Sequence, residues 1–222
     1  KLIVLLTIAM FFFITAAGFF YTCEVEINRE TQNMEHVLFH TDNLAVNLIG
    51  LVVALCLVFL LLRLKIDRRA VGWLTAGMLV CVAALAFLFV RDAHALPTAD
   101  SARLVEHLQM LTGGDMRSFR ISYYLRTFPF QMGYLLYLEL FARALGVANI
   151  LSAQYANVAF LVIAYYAAAR LARVLFDDPR VELLTVVFLW LFVQPAFLCT
   201  FLYGSIPGMA LSMLAVLFTA RY

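Results

Sequence analysis

The chain has 222 residues, of which 65% are hydrophobic and 14% are charged, and its mean hydropathy is +0.93. Soluble domains contain about 45–50% apolar and about 25% charged residues, so this composition excludes an ordinary soluble domain and indicates an integral membrane protein. The net charge is only +2, and no basic stripe alternates with aromatic residues, which argues against nucleic acid as a partner.

Apolar runs of about 20 residues, the length at which a helix crosses a bilayer, recur along the chain. They predict an all-α integral membrane fold with six transmembrane helices in a single membrane domain, residues 1–222. The predicted spans are 2–21, 43–62, 70–90, 152–169, 183–202 and a short sixth span after the turn at 203–208. The acidic segment 22–42 predicts a polar loop. Because the chain starts with Lys and ends just after an apolar run, we expect a fragment of a longer protein.

Residues 129–145 admit two interpretations, a further membrane crossing or a helix that lies in the membrane interface. The polar residues of this segment recur at multiples of four and mark a polar stripe along one face; they are Gln131, Glu139 and Arg143. The interfacial interpretation places the basic clusters at 63–69 and 170–180 on one side, as the cytoplasmic enrichment of Lys and Arg requires. We therefore predict an interfacial helix and a cytoplasmic amino terminus.

Residues 91–149 then form one long exterior loop with interfacial helices at about 101–111 and 129–145. The first helix has an apolar face, which we expect to lie on the bilayer. This face consists of Leu104, Val105, Leu108 and Leu111. Asp100 directly precedes this helix and is thereby predicted at the membrane surface, where both lipid and water reach it. Asp is also a favoured helix cap, and Asp92 is a second exterior carboxylate near a span, so both alternatives stay open.

The order of features along residues 70–222 is distinctive. It consists of a span, Pro97-Thr98-Ala99-Asp100-Ser101, a helix, Gly113-Gly114-Asp115, the aromatic run Tyr123 to Tyr134, a Leu-rich helix, Gly146, a span and an Arg-rich turn. This order resembles the amino-terminal half of the bacterial GT-C membrane glycosyltransferases, which include protein O-mannosyltransferases and aminoarabinose transferases. The resemblance implies a first exterior loop with juxtamembrane helices, and sugar transfer from a polyprenyl-phosphate carrier.

By position, the resemblance implies that Asp100 is the base that activates the acceptor hydroxyl. The phosphate leaving group requires nearby cations, for which Arg120 and Arg126 are the candidates, with Gln131 and Tyr124 as further donor-binding residues. Simpler roles exist for each of them: juxtamembrane arginines bind lipid headgroups, and a glutamine can cap its own helix. Interfacial tyrosines are commonly membrane anchors, which is the role that we favour for Tyr123, Tyr124 and Tyr134.

Two histidines, His94 and His107, flank Asp100 and raise the alternative of a bound metal. A metal site needs three or four convergent ligands, and only Asp92 and Asp100 lie near these histidines in sequence. Many relatives in the resembled family carry an acidic residue in the second exterior turn, where this chain has Ser205, and a hydroxyl cannot replace that carboxylate. We therefore expect no metal or other cofactor, and the second catalytic partner stays open.

The resemblance implies a multi-pass protein of the bacterial plasma membrane, with a lipid-linked sugar donor, a glycan, lipid or protein acceptor, and membrane lipids as partners. Two other functions stay open. A transporter or flippase of lipid-linked sugars predicts ionisable residues inside the spans and inverted repeats, and the sequence shows neither. A non-catalytic membrane scaffold needs no carboxylate at the interface.

Overall fold

The computed structural model describes residues 9–10, 12–13, 15, 17–27, 35–63, 65–93, 96–97, 99–117, 122–146 and 150–222. The chain forms two compact units, Lys1–Leu64 and Lys65–Tyr222. The described residues are mainly helical, with one two-stranded sheet. The prediction that residues 1–222 form a single membrane domain stays a prediction.

The first unit contains a β-hairpin and one long helix. Strands β1 (Tyr21–Ile27) and β2 (Glu35–Thr41) pair antiparallel, with Tyr21 opposite Thr41. The segment was predicted to be a polar loop, and that prediction is wrong for the strands. The alternation of polar and apolar residues from Glu24 to Ile27 is the period-two pattern of a strand, which the acidic composition of the segment masks.

Helix α1 (Leu44–Arg63) follows the hairpin and is capped by Asn43, whose Oδ1 accepts a hydrogen bond from the Ala45 backbone N–H at 3.1 Å. The Asn47 amide, one turn into α1, donates to the Phe19 carbonyl at 2.7 Å. Phe19 belongs to the helical residues that precede β1. A buried or lipid-facing backbone carbonyl needs such a partner, so Asn47 fixes the start of α1 against the preceding helical turn.

The second unit is wholly helical among the described residues. Its helices are α2 (Arg68–Ala93), α3 (Ala99–Thr112), α4 (Tyr123–Thr127), α5 (Gln131–Leu145), α6 (Ile150–Phe176), α7 (Pro179–Leu191), α8 (Gln194–Leu198) and α9 (Ser205–Arg221). Apolar side chains of α2, α6, α8 and α9 form one core. A second core joins α3, α4 and α5 to the start of α6.

Helices α2 and α6 are antiparallel. Near one end the rings of Phe87 and Tyr155 stack with centroids 4.8 Å apart, and at the other end Arg68 pairs with Asp177 at 3.0 Å. The chain between them, residues 94–149, therefore leaves α2 and enters α6 at the same end of the pair. Helix α5 has 15 residues and does not connect opposite ends of this pair.

Among the described residues, three helices are long and apolar enough to cross a membrane: Leu44–Arg63, Arg68–Ala93 and Leu151–Phe176. The predicted span at 183–202 is not one continuous helix, because α7 ends at Leu191 and α8 begins at Gln194. Pro195 lies in the first turn of α8 and cannot donate a backbone hydrogen bond to a preceding turn. The last predicted span is the 17-residue helix α9. The total of six spans stays a prediction.

Both predicted loop helices are present, as α3 and α5, but the apolar face of α3 does not face outward. Leu104, Leu108 and Leu111 are buried in a core with residues of α5 that include Leu135 and Leu138. The expectation that this face lies on the bilayer is therefore wrong, because α5 covers it. The outward apolar surface belongs to α5 itself, whose exposed side chains include Met132, Leu136 and Leu140.

The irregular turn between α8 and α9 rests on two amides of α6. The Gln154 amide donates to the Thr200 carbonyl at 2.7 Å, and the Asn157 amide donates to the carbonyls of Cys199 and Phe201, both at 3.1 Å. Backbone that leaves a helix among apolar surroundings needs partners of this kind. Gly204 follows, and a Cβ at this position would lie 3.5 Å from the Tyr134 side chain, so the turn lies at the end of the unit that carries α5.

Candidate functional site

The site is built from an acidic residue in the first turn of α3 and a partly buried tyrosine of α4, where these two helices share a core. Asp100 is in the first turn of α3 and is partly exposed. Tyr124 is in α4; burial raises the pKa of its phenol, and the negative charge of Asp100 raises that pKa further. The hydroxyl of Tyr124 is buried and has no hydrogen-bond partner among the described residues. The pair therefore combines a proton acceptor with an unused hydrogen-bond donor.

His107 lies next to this pair and connects α3 to α4. Its side chain is only 8% exposed, and its Nε2 is 2.8 Å from the Ser122 Oγ. Ser122 is the N-cap of α4, and its Oγ accepts a hydrogen bond from the Leu125 backbone N–H at 3.2 Å. Because the serine oxygen already accepts, its hydroxyl proton is free to be donated to a neutral imidazole. The His107 Nδ1 is buried and has no partner among the described residues.

The three side chains follow one face of α3. Asp100 and His107 are separated by two helical turns, which places them on the same side of the helix at an axial distance of about 10 Å. The Tyr124 ring lies beside His107, with centroids 6.2 Å apart and an angle of 23° between the planes. The Tyr124 ring therefore lies next to His107, on the side of α3 that also carries Asp100.

The other predicted site residues lie on different helices or outside the described residues. Gln131 is buried at the start of α5, on the same face as the core residue Leu135. Arg126 is exposed at the end of α4, and Arg120 lies outside the described residues. The alternative carboxylate, Asp92, forms a two-bond ion pair with Arg91 at 2.6 and 3.0 Å. A bound guanidinium makes a carboxylate a weaker base, which favours Asp100 over Asp92.

The tyrosines of the loop differ in their exposure and in their contacts. Tyr123 is 83% exposed, which fits the predicted role of a membrane anchor. Tyr134 is 8% exposed and stacks on Tyr137 with ring centroids 5.5 Å apart, so the anchor role predicted for it is wrong. Tyr124 is half-buried and packs against His107 and Phe128. Burial raises the pKa of Tyr137 to about 12, so that phenol stays protonated at neutral pH.

Within the described part of the chain, no three His, Cys, Asp or Glu side chains converge in a way that would hold a metal ion. His94, one of the two histidines weighed as a metal ligand, lies outside that part. The other, His107, uses its Nε2 on Ser122. Ser122 itself was not singled out by the sequence. A serine directly before a short helix is a common cap, and nothing in the spacing indicates that it meets His107.

The fold and the site together define a helical membrane protein that carries a carboxylate, a phenol and a histidine at one end of an antiparallel helix pair. Three long apolar helices carry the membrane assignment. Comparisons of the chain with protein families, with curated proteins and with solved structures find no match.

We expect the protein to lose stability as the pH falls below 6.5. Burial lowers the pKa of His107 from its ordinary 6.5, with Glu106 raising it and Arg103 lowering it to smaller extents. Between the two pKa values the unfolded chain binds a proton that the folded chain does not, so acid favours unfolding. The contribution is fully present above pH 6.5 and is lost as the pH falls through the lowered pKa.

This pH dependence is measured by thermal unfolding of the full-length protein from about pH 8 to about pH 5, the range in which histidine titrates. The neighbouring Tyr124 phenol stays neutral throughout. A His107→Gln variant has no group at position 107 that titrates in this range and should show a flatter profile. An unchanged profile in that variant would show that the acid sensitivity comes from elsewhere.

Proposed function

We propose that the protein is a GT-C-type membrane glycosyltransferase that moves a sugar from a polyprenyl-phosphate donor to a hydroxyl-bearing acceptor on the exterior face. Asp100 is the general base of this reaction. The observation that supports the proposal best is the position of Asp100, partly exposed in the first turn of α3, with a negative charge that contributes to the raised pKa of the Tyr124 phenol on α4. A second support is the membrane character of the chain, since the donor is itself a membrane lipid.

In this reaction the acceptor oxygen attacks the anomeric carbon of the sugar, and Asp100 takes the hydroxyl proton in the transition state. The bond from the anomeric carbon to the phosphate oxygen breaks, and polyprenyl phosphate leaves with the bonding electron pair. Exposed cationic side chains on the same loop stabilise the growing phosphate charge. Arg126 takes this role at the end of α4, and Arg120 is the second candidate. Gln131 and Tyr124 contribute hydrogen bonds to the bound sugar.

The same proposal includes the finer topology: six spans, a cytoplasmic amino terminus and an exterior loop at residues 91–149 in a bacterial plasma membrane. The salt bridge between Arg68 and Asp177 supports it, because it holds the basic segments that follow α1 and α6 at one end of the second unit. Asp100 belongs to the segment at the opposite end. The cytoplasmic enrichment of Lys and Arg supports an exterior position for Asp100.

The test is a transfer assay with the full-length protein in liposomes that contain radiolabelled polyprenyl-phosphate sugars, incubated with cell-envelope acceptor fractions. We expect label on the acceptor together with released polyprenyl phosphate. Movement of the intact donor between leaflets without transfer would instead indicate a flippase. Neither transfer nor movement with any donor would favour the scaffold and contradict the proposal.

A further inference from the structure

We propose that Arg170 and Arg173 bind the phosphate group of an anionic phospholipid, and that Glu182 holds the two guanidinium groups at this site. The site lies at the end of the second unit that the ion pair between Arg68 and Asp177 marks. This is the end opposite the segment that carries the proposed catalytic base, so the lipid site does not depend on the proposed transfer reaction.

The two arginines share one carboxylate. Arg170 and Arg173 are three residues apart in the last turns of α6, which places their side chains on one face of the helix. The Arg173 Nη1 lies 3.4 Å from the Glu182 Oε2, and the Arg170 Nη1 lies 3.9 Å from the Glu182 Oε1. Glu182 is buried in the first turn of α7. Two positive charges therefore face one negative charge, and the cluster keeps a positive charge in excess.

Glu182 does not use up the hydrogen-bond donors of this cluster. Direct hydrogen bonds from a guanidinium to a carboxylate are about 2.7–2.9 Å long, and both contacts are longer than that. The Arg170 Nε and the Glu182 Oε2 are buried and have no hydrogen-bond partner among the described residues. A buried charged donor without a partner is costly, and each guanidinium carries several N–H groups. The two arginines therefore have donors to spare for a second anion.

The neighbouring carboxylates do not supply that anion. Asp177 pairs with Arg68 at 3.0 Å, and Asp178 pairs with Arg180 at 2.8 Å. Each of these acids already has a guanidinium of its own, so the excess charge stays with the two arginines at the end of α6. An anion that is not part of this cluster is needed to balance it.

The position of the cluster in α6 favours a lipid as the source of this anion. The helix has 27 residues and is therefore about 40 Å long, whereas the hydrocarbon core of a bilayer is about 30 Å thick. Its terminal turns accordingly reach the headgroup layer, where the lipid phosphates lie. Leu175 and Phe176 follow the arginines and are exposed, which provides apolar surface for an acyl chain. Basic pockets between membrane helices bind anionic headgroups in this way.

The test measures the binding of dioleoylphosphatidylglycerol and dioleoylphosphatidylcholine to the full-length protein in mixed micelles by native mass spectrometry. The wild type should prefer the anionic lipid. A variant with Arg170→Gln, Arg173→Gln and Glu182→Gln should bind phosphatidylglycerol about tenfold more weakly, because both guanidinium groups are lost. Equal affinity of the wild type for the two lipids would overturn the proposal. Displacement of phosphatidylglycerol by inorganic phosphate would assign the site to a soluble anion and would also overturn it.

The matched control removes two arginines and one glutamate from α3 and α5, in a variant with Arg103→Gln, Glu139→Gln and Arg143→Gln. Both of these arginines are exposed and lie in other helices. The affinity of this variant for phosphatidylglycerol should be nearly unchanged. A loss equal to that of the first variant would show a general effect of net charge and contradict the proposal.

A further variant, Arg170→Lys with Arg173→Lys, keeps both positive charges opposite Glu182 and should fold even if the triple variant does not. We expect it to bind phosphatidylglycerol about threefold more weakly, because an ammonium group cannot donate two parallel hydrogen bonds to a phosphate. An affinity equal to that of the wild type would show that the guanidinium groups are not the binding groups, and the proposal would fail.

Discussion

The Asp100→Asn variant is expected to lose sugar transfer by about 10²–10⁴-fold, the usual contribution of a general base, while it folds and inserts normally. Asn is chosen because it has nearly the same size and shape as Asp. The substitution therefore removes the proton acceptor and keeps a polar side chain in the first turn of α3. Initial rates of transfer and a thermal unfolding curve, both measured on the full-length protein, separate a catalytic role from a structural one.

The matched control is Asp92→Asn. Asp92 lies in the last turn of α2, and its carboxylate is bound by Arg91. The control should keep nearly the wild-type rate, because the bound guanidinium makes the Asp92 carboxylate a weaker base than a carboxylate without an ion pair. Equal losses in the two variants would show a general effect of charge at this end of the protein. A full rate in Asp100→Asn would remove Asp100 from the mechanism.

Glu182→Gln is expected to give the largest loss of stability, about 3 kcal/mol. Glu182 is 2% exposed and lies 3.4 Å from Arg173 and 3.9 Å from Arg170. Removing one partner of a buried ion pair costs about 3–5 kcal/mol, because the remaining charge loses its compensation. We expect a loss at the lower end of this range, because the side chains of Arg170 and Arg173 keep 32% and 27% of their surface exposed and water partly screens their charges. Unfolding in mixed micelles with increasing denaturing detergent measures the difference.

The control for this prediction is the same chemical change at an exposed pair, Glu106→Gln. Glu106 pairs with Arg103 at 3.0 Å, and both side chains are more than half exposed. Exposed ion pairs contribute about 0–1 kcal/mol, so this variant should unfold close to the wild type. Similar losses in Glu106→Gln and Glu182→Gln would contradict the view that the buried cluster joins α6 to α7.

The sequence predicts the helices of this protein better than it predicts their packing. Helices were expected at 101–111 and 129–145, and the structure has them at Ala99–Thr112 and Gln131–Leu145. The apolar face of the first helix was assigned to lipid, because hydrophobic periodicity shows that a face is buried but not what covers it. In the structure α5 covers that face. The break before Pro195 was missed because a long apolar run dominates the local composition.

The same limit applies to the site. Asp100 could be singled out because its position follows from the end of a span and the start of a helix. The proximity of Tyr124 to His107, and of His107 to Ser122, depends on how α4 folds back on α3. Fifteen residues separate the last two, and no local pattern fixes the direction of the chain between them.

If Asp100 serves a lipid-linked donor outside the cell, then α3 must face the exterior and the opposite end of α2 must face the cytoplasm. This is tested with single cysteines at the exposed positions Glu106 and Arg69, in a full-length protein without its native cysteines. A membrane-impermeant maleimide should label Glu106→Cys in intact cells. It should label Arg69→Cys only after the cells are permeabilised. Labelling of Arg69→Cys in intact cells, with Glu106→Cys protected until permeabilisation, would place Asp100 on the cytoplasmic side and contradict the proposed reaction.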